Sequence, residues 1–412
     1  MTKADKEGQR KAPILRFKGF TDDWEQRKLS DFAHIIVGGT PSTKKNEYWN
    51  GNIPWMSSGE INKKRIYKTD KSITKLGLKN SSAKFVPENS VLIALAGQGK
   101  TRGTVAINNI ELTINQSLAG IVPTSKGYYE FIFYNLEKRY SELRRLSSGA
   151  GSRGGLNKKL IQNIKIQIPN LKEQILISKL SETLDNVLTL YDRKLKLLSQ
   201  VKKYFLDNLF AEKEYPNLRF KGFTDAWEQR KLSEMTQQVK RTSDSENPIL
   251  TISAKNGWMD QKDRFNRVIA GKELKNYIEL YKNELSYNHG NSKYAKFGII
   301  YVQRKYEKAL VPKVYHSFSM SYGDPRFIES LSLGHKLDKE LSKLITSGAR
   351  QDGLLNINKK SFYTIKLFIP SEQEQIKISN IMDVINHVIT LHDNKKQNLI
   401  EIKKKLLNTM FI

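Results

Sequence analysis

The stretch Leu15-Arg-Phe-Lys-Gly-Phe-Thr-Asp-Asp-Trp-Glu-Gln-Arg-Lys-Leu-Ser30 occurs twice in this chain of 412 residues. The second copy is Leu218-Arg-Phe-Lys-Gly-Phe-Thr-Asp-Ala-Trp-Glu-Gln-Arg-Lys-Leu-Ser233, and the copies differ only in having Asp23 or Ala226. Chance does not produce a match of this length, so the chain contains an internal repeat. We call this stretch the opening motif.

A second pair of similar segments closes each half of the chain. They are Ile166–Pro169 with Glu173–Ile175, and Leu367–Pro370 with Glu374–Ile376. Between the opening motifs and these closing segments, residues 35–145 and 238–345 show no similarity to each other. The layout is therefore an opening motif, a variable region and a closing segment, repeated once.

Each closing segment leads into a long predicted helix. Asn170 and Ser371 stand three residues before Glu173 and Glu374, a spacing typical of a helix start. Apolar residues then recur every three or four positions, which predicts helices over residues 171–213 and 372–412, each about 60 Å long. The apolar stripe contains Leu180, Leu184, Val187, Tyr191, Leu198, Ile381, Ile385, Val388, Leu399, Ile402 and Leu406.

A stripe of this kind needs an apolar partner. The two helices most simply bury their stripes against each other as a coiled coil. The alternative is that each helix packs only on its own globular domain. In the variable regions, short β-rich runs such as Ser90–Leu95, Phe297–Val302 and Ala309–Tyr315 alternate with polar turns, so the expected fold class is α+β.

The charge distribution indicates a polyanionic partner. Seventy Lys and Arg against 42 Asp and Glu give a net charge of +28. Residues 1–170 carry +15 and residues 214–371 carry +10, whereas the two helices together carry only +3. Two basic domains on a nearly neutral spacer are expected for a protein that contacts a nucleic acid duplex at two places. The chain has no long apolar run, no signal sequence and no cysteine, so we expect a cytoplasmic protein without a membrane span.

No catalytic or metal site is predicted. The segment Leu92–Thr101 is similar to a phosphate-binding loop, but Ala94 replaces its first glycine and a strand follows. Gly149–Gly154 matches the pattern GxGxxG but lies outside any βαβ unit, so it does not predict a dinucleotide-binding site. Asp263, Glu273 and Lys275 have the residue types of a metal nuclease, and the six histidines lack the spacing of a zinc site.

The duplicated motifs resemble the specificity (S) subunits of Type I restriction–modification systems. The resemblance includes the opening motif, Gly38–Ser42 with Tyr48-Trp49 and Ile53–Trp55, and the Pro-x-x-x-Glu-Gln-Ile helix starts. It covers nearly the whole chain. The resemblance implies an N-terminal tail over residues 1–14, a target recognition domain over 15–170, a central helix over 171–213, a second recognition domain over 214–371 and a C-terminal helix over 372–412.

The resemblance also implies the partners. Each recognition domain would read one half of an asymmetric bipartite site in double-stranded DNA, and the helices would form an antiparallel coiled coil that sets the spacer. This coiled coil would dock two methyltransferase (M) subunits by an internal pseudo-two-fold repeat, and restriction/translocase (R) subunits could then join. S-adenosylmethionine, ATP and Mg²⁺ would bind to those partners and not to this chain. Half-sites about one turn, or ~10 bp, apart are expected.

By analogy with this layout, we assign DNA-contacting candidates to polar and basic loops, because Arg, Asn, Gln and Ser read base edges while Lys and Arg bind phosphates. The base-reading candidates are Ser57, Gln98, Lys100, Arg102, Asn288, Asn291, Lys293 and Tyr294. The phosphate candidates are Lys63, Lys64, Arg65, Arg153, Arg304 and Lys305.

Three alternative functions stay open at this point. The chain could be the specificity subunit of a fused nuclease–methyltransferase system. It could be a self-sufficient metal-dependent nuclease that uses Asp263, Glu273 and Lys275. It could also be a coiled-coil adaptor that does not bind DNA, in which case any binding to duplex would be weak and independent of salt.

Overall fold

The computed structural model describes residues 12–97, 101–148, 155–242, 247–265, 276–290, 292–345 and 354–411. The described residues form two compact units: one holds the residues up to Tyr191 and from Lys395 onward, and the other holds Asp192–Asn394. The units divide each long helix between them. The five-part domain division predicted from the sequence stays a prediction.

The described residues of the first unit form two larger sheets and one antiparallel strand pair. Its strands are β1 (Glu25–Lys28), β2 (Ala33–Val37), β3 (Trp49–Met56), β4 (Arg65–Ile66), β5 (Lys71–Ile73), β6 (Phe85–Val86), β7 (Ser90–Ala94), β8 (Val105–Asn108), β9 (Leu112–Ile114), β10 (Leu118–Pro123) and β11 (Lys165–Ile168). Its helices are α1 (Lys75–Lys79), α2 (Tyr129–Lys138), α3 (Tyr140–Ser148), α4 (Lys158–Gln162) and the first part of α5 (Leu171–Asn208), with 3₁₀ turns at Leu29–Asp31, Asn46–Tyr48 and Ser58–Lys63. The strand orders are β2-β10-β7-β8-β4 and β5-β3-β9-β6.

The second unit has a different sheet arrangement. Its strands are β12 (Glu228–Lys231), β13 (Thr236–Gln238), β14 (Leu250–Ser253), β15 (Gly257–Asp260), β16 (Ile278–Tyr281), β17 (Leu285–Asn288), β18 (Ile299–Val302), β19 (Lys308–Val311), β20 (His316–Met320) and β21 (Lys366–Ile369). Its helices are α6 (Leu232–Met235), α7 (Gln261–Phe265), α8 (Pro325–Leu333), α9 (Asp338–Ser342), α10 (Lys359–Phe362) and most of α11 (Glu372–Met410). One four-stranded sheet, β13-β20-β17-β18, is accompanied by the pairs β14-β15 and β16-β19.

The opening motif and the closing segment form the same scaffold in both units. Strand β1 pairs antiparallel with β11, and β12 pairs with β21 in the same register, so that Glu25 and Glu228 lie opposite Ile168 and Ile369. The preceding tryptophan is buried in each unit. Trp24 packs edge-on against Phe131 at 5.8 Å between ring centres, and Trp227 packs against Phe327 at 5.7 Å.

An arginine of each opening motif is joined to the start of each long helix. Arg16 donates two hydrogen bonds to Glu173, at 2.7 and 2.8 Å. Arg219 donates two to Glu374, both at 2.8 Å. The predicted helix starts are confirmed, because Asn170 Oδ1 accepts a hydrogen bond from the Glu173 N–H at 3.1 Å. The glutamate side chain pairs with the arginine, and this Arg–Glu clamp fixes strand and helix together.

The glutamine that follows each clamp glutamate is also structural. Gln174 donates to the Pro169 carbonyl at 2.9 Å and accepts from the Tyr128 N–H at 2.8 Å. Gln375 donates to the Pro370 carbonyl at 2.9 Å and accepts from the Asp324 N–H at 3.0 Å. Buried amides need such partners, and the duplicated Glu-Gln pair supplies the same bonds in each unit.

The two long helices run antiparallel within each unit. In the first unit, the start of α5 lies beside the end of α11, and Lys403 Nζ contacts Asp185 at 2.5 Å. In the second, Leu206 near the end of α5 shares a core with Ile378 near the start of α11. The expected α+β class and antiparallel coiled coil are thus confirmed. Each helix also packs on its β-rich region, so the alternative packing coexists with the coiled coil.

The buried stripe follows the predicted positions with one exception. Ile385 is buried, and nine others are half-buried: Leu180, Leu184, Val187, Tyr191, Leu198, Ile381, Val388, Leu399 and Leu406. Ile402 is 46% exposed and does not lie on the stripe. Lys403 takes its place, with its side chain 12% exposed and its ammonium 5.4 Å from the ring centre of Tyr134. The long methylene chain of a lysine can cover apolar surface while its charge stays paired.

Candidate nucleic-acid interface

The base-reading candidates of the first unit lie in its turns. Ser57 precedes the 3₁₀ turn Ser58–Lys63, and its N–H donates to Glu60 at 3.2 Å. Arg102 lies in the turn before β8 and donates from Nη1 to the Ser147 hydroxyl at 3.4 Å. The strand expected after the phosphate-loop-like segment is present as β8. Gln98 and Lys100 lie outside the described residues.

The base-reading candidates of the second unit differ in how free their side chains are. Asn288, at the end of β17, donates from Nδ2 to the Ile252 carbonyl at 3.3 Å and accepts from the Gly290 N–H at 3.1 Å. Lys293 is exposed, and Tyr294 is 53% exposed with Lys255 over its ring. The Asn288 side chain is therefore bound to the backbone, whereas Lys293 and Tyr294 face solvent. Asn291 lies outside the described residues.

The phosphate candidates of the first unit are paired with carboxylates. Lys63 contacts Glu60 at 3.0 Å and Asp70 at 2.9 Å, and Lys64 contacts Glu137. Arg65 donates two hydrogen bonds to the buried Glu130, at 2.7 and 2.9 Å, and lies 3.7 Å from Glu182 on α5.

The second unit shows the same pattern. Arg304 contacts Glu329 at 2.5 Å and lies 3.8 Å from Asp383 on α11, while Lys305 contacts Asp260. Burial raises the pKa of the Glu130 and Glu329 carboxyls, and the facing arginines only partly offset this rise. Arg65 and Arg304 thus balance a buried carboxylate and approach a long helix in their units. Their binding to DNA phosphates stays a prediction, and Arg153 lies outside the described residues.

One recess of the second unit brings several sequence-predicted residues together. It has a volume of about 710 Å³, and Tyr294, Arg304 and Lys305 line it together with Lys202 and Lys255. Burial lowers the pKa of Lys202 on α5, with a smaller opposing effect of Glu329. The recess is therefore basic and partly aromatic, a combination that suits the backbone and bases of a nucleic acid.

A second basic recess of this unit contains none of the residues predicted to contact DNA. It has a volume of about 690 Å³ and is lined by Lys359, Lys360, Asn358 and polar side chains of α6, β13 and α10. A repeated pattern could have revealed it, since Asn157-Lys-Lys159 and Asn358-Lys-Lys360 precede the two closing strands at equal distances.

Two of the three residues of the nuclease alternative lie outside the described part of the chain, so this alternative stays a prediction. Among the described residues, no group of three or more His, Asp and Glu side chains is placed to hold a metal ion. Asp263 is exposed on α7, and Glu273 and Lys275 lie outside the described residues. Within the same part of the chain, no helix is both long and apolar enough to cross a bilayer.

Residues 21–200 match a family model described as the Type I restriction modification DNA specificity domain. The match includes the last ten residues of the first opening motif, the first variable region and most of α5. It therefore corresponds to most of one repeat of the scaffold described above, without Arg16 of the clamp.

Curated relatives extend the match beyond this region. The chain is 26% identical over 245 residues to the Type I restriction enzyme MjaIX specificity subunit of Methanocaldococcus jannaschii, covering 57% of this chain and 56% of that protein. It is 28% identical over 208 residues to the EcoR124I/EcoR124II specificity subunit of Escherichia coli, covering 48% and 50%. These matches span about half the length of each relative. The MjaVIII specificity subunit of M. jannaschii is 24% identical over 412 residues, with 94% and 92% covered.

Solved structures share the fold at low sequence identity. An S subunit of a Type I restriction–modification system from M. genitalium aligns with a TM-score of 0.60 at 13% identity, covering 97% of this chain and 99% of that chain. A chain from a structure of the assembly of the type I R-M system aligns at 0.51 and 14% identity. The chain therefore shares its fold with these structures. Residues 21–200 thus match the specificity domain of Type I restriction–modification systems, the family that the repeated motifs resemble, and the MjaVIII specificity subunit is similar over nearly the whole chain.

Proposed function

We propose that this chain is the sequence-specific DNA-recognition subunit of a Type I restriction–modification complex and performs no chemistry itself. The observation that carries the proposal is that one scaffold, with the same Arg–Glu clamp and strand register, holds two different basic β-rich regions. A repeated scaffold suits a pair of identical partners, and unlike regions suit unlike DNA sequences. The target is therefore an asymmetric site with two different half-sites.

The experiment is methylome sequencing of the host with and without this gene. We expect one bipartite motif, with two different halves and a fixed spacer, to lose its modification when the gene is deleted. An unchanged methylome, or loss of a continuous motif without a spacer, would contradict the proposal. A restriction assay on unmodified DNA then separates a complex with R subunits from one that only methylates, and purification of the native complex distinguishes separate M and R chains from a fused nuclease–methyltransferase.

The antiparallel helices would set the spacer between the half-sites. A rise of 1.5 Å per residue makes the helix length a fixed distance as long as the pair stays helical. Inserting seven residues after Leu195 in α5, with seven at a facing position of α11, keeps the apolar stripe in phase. We expect this variant to methylate a motif with the same halves and a longer spacer. The same motif with its original spacer would rule out the role of the helices as a ruler.

The long helices also present a surface for the M subunits. On the part of α5 that belongs to the second unit, Leu197 and Tyr204 are 61% and 56% exposed and lie seven residues apart. Apolar side chains at this spacing lie on one face of a helix and suit a partner helix. Two M subunits, one for each repeat, would dock around the coiled coil, and R subunits would join through them. S-adenosylmethionine, ATP and Mg²⁺ would bind to these cytoplasmic partners.

A single charge tests this surface. Leu197→Glu should reduce the amount of M subunit that copurifies with the chain, because a carboxylate is costly to bury in an apolar contact. Ser199→Glu is the matched control, since Ser199 is exposed and lies on the other side of α5. Equal recovery of M subunit with both variants would show that this face is not the docking surface.

A further inference from the structure

A group of lysines in the second unit differs from the phosphate candidates described above. Lys240, Lys313, Lys359 and Lys360 form no ion pair among the described residues, whereas Lys63, Lys64, Arg65, Arg304 and Lys305 are all paired with carboxylates. We call these four residues the lysine cluster. Their positive charge is not neutralised within the described part of the chain.

Three connections bring the lysine cluster to one place in the fold. Lys240 follows β13, and the preceding Val239 N–H donates to the Ser317 carbonyl in β20 at 3.0 Å. Lys313 lies in the turn before β20, next to Val314, whose carbonyl is 3.1 Å from His289 Nε2. Lys359 stands two residues after Ile357. The Ile357 carbonyl lies 3.3 Å from His316 Nε2 at the start of β20. The cluster thus surrounds the first residues of β20.

The lysine cluster adjoins a polar recess without a carboxylate. Lys359 and Lys360 line a volume of about 690 Å³ together with Ser233, Gln238 and Asn358. Burial lowers the pKa of Lys359, and the nearby charges of Lys240 and Lys313 lower it further. Like charges that converge in this way are stabilised when an anion binds between them.

The first unit contains a counterpart of this helix start. Asn157 caps α4 by accepting a hydrogen bond from the Leu160 N–H at 2.9 Å, just as Asn358 caps α10 by accepting from the Lys360 N–H at 2.8 Å. Lys158 and Lys159 follow directly, are exposed and form no ion pair among the described residues. The Asn-Lys-Lys sequence is therefore part of the repeated scaffold and not of the variable surface.

We propose that the lysine cluster binds the phosphate backbone of the DNA beside the second half-site, and that Lys158 and Lys159 do so beside the first. This inference rests on the proposed function and specifies which charges hold the duplex. A contact with phosphates is independent of base sequence, so it adds affinity for any duplex and positions the base-reading residues. Base selectivity then comes from residues outside the cluster.

The experiment compares two double variants of the full chain. Lys240→Gln with Lys359→Gln removes two charges from the cluster. Lys282→Gln with Lys343→Gln removes two charges of the same unit that are already paired, with Glu307 and Glu340. Binding is measured between 50 and 200 mM NaCl on the duplex identified by methylome sequencing and on a duplex with scrambled half-sites. The slope of log affinity against log salt counts phosphate contacts at roughly 0.9 each.

We expect the cluster variant to bind both duplexes more weakly by the same factor, with a slope reduced by about 1.8. The control variant should keep the slope of the unchanged chain. A cluster variant with the control's slope would overturn the proposal, as would a loss confined to the target duplex, which would instead indicate base reading. Failure of the proposed function has a different signature: the unchanged chain would bind both duplexes equally.

A second measurement separates DNA phosphate from free phosphate. Melting temperatures of the unchanged chain and the cluster variant are compared in inorganic phosphate and in NaCl at equal ionic strength. A phosphate-specific rise of several degrees in the unchanged chain, lost in the cluster variant, together with an unchanged DNA slope, would assign the recess to a small anion and overturn the proposal. A reduced DNA slope without this rise supports it.

Discussion

In the first unit, the clamp of Arg16 and Glu173 accompanies a five-stranded and a four-stranded sheet; in the second, the clamp of Arg219 and Glu374 accompanies one four-stranded sheet and two strand pairs. The comparison separates two kinds of residue. Those that recur in both units hold strand, helix and core together. Those that differ belong to the variable regions, residues 35–145 and 238–345. The two repeats therefore share the same scaffold and differ in the variable region that each scaffold carries.

If the scaffolds are equivalent, then the same substitution should have the same effect in both units, and the largest effect should come from the buried tryptophans. Trp24→Ala and Trp227→Ala should each destabilise their own unit by about 3–5 kcal/mol, because each leaves a cavity in a closed core. Hydrogen exchange with mass spectrometry would show which unit loses protection. Tyr67→Ala is the control, since Tyr67 is 67% exposed. If the two substitutions differed several-fold in their effect on stability, then the two scaffolds would not be equivalent.

The clamps give the next largest effect. Arg16→Ala and Arg219→Ala leave a buried carboxylate without its partner, and each should cost about 2–3 kcal/mol, less than for a fully buried pair because water reaches the arginine side. Urea unfolding measures both. Arg27→Ala is a matched control, because Arg27 pairs with the exposed Glu25 and surface pairs contribute little. A clamp variant no less stable than Arg27→Ala would show that the duplicated Arg–Glu pair is not structural.

The two units should differ in how much stability they lose at acidic pH. Burial and the neighbouring His289 lower the pKa of His316 to about 4, whereas the first unit has one histidine, His34, exposed on β2. Below pH 6.5 the unfolded chain binds a proton at His316, whereas the folded second unit does not. The free energy of unfolding therefore falls as the pH drops towards 4. The loss at pH 5 should be about 2 kcal/mol.

His316→Gln measures this acid sensitivity. The variant should show a smaller difference in unfolding free energy between pH 7 and pH 5 than the unchanged chain, and the change should be confined to the second unit. Gln can still donate to the Ile357 carbonyl, which His316 Nε2 approaches at 3.3 Å. If the pH dependence of this variant is identical to that of the unchanged chain, then folding does not lower the pKa of His316.

The smallest expected effect concerns reading and not stability. If Arg102 reads a base, Arg102→Ala should weaken binding by about 1 kcal/mol at one position of the first half-site and leave the second half-site unchanged. Affinities for duplexes with single base changes measure this directly. A uniform loss over all sequences would make Arg102 a phosphate contact.

The scaffold could be predicted from the sequence because its signals are local or repeated. The opening motif is identical at all positions but one, and the helices follow from a regular stripe that begins at a cap. Ile402 shows the limit of this reasoning: an α-helix has 3.6 residues per turn, so a stripe counted in threes and fours drifts around a long helix. Lys403, with an apolar stem and a charged end, took the place assigned to Ile402.

The site was harder to predict because its decisive contacts join distant residues. Arg65 pairs with Glu130, 65 positions away, and Arg16 with Glu173, 157 positions away. Local composition shows a basic run but not the carboxylate that folds against it. The unpaired lysines were detectable in principle, since Asn-Lys-Lys recurs before both closing strands, but two lysines beside an asparagine are common on any protein surface.

If one repeated scaffold holds two regions that each read a different half-site, then exchanging one region should change the methylated motif. The chimera replaces residues 35–145 with a second copy of residues 238–345, and the methylome of a host that carries only this chimera is sequenced. We expect a motif in which both halves equal the second half-site, arranged as an inverted repeat across the original spacer. Methylation of the original asymmetric motif would contradict it, because the first half-site would then be read by residues outside the exchanged region.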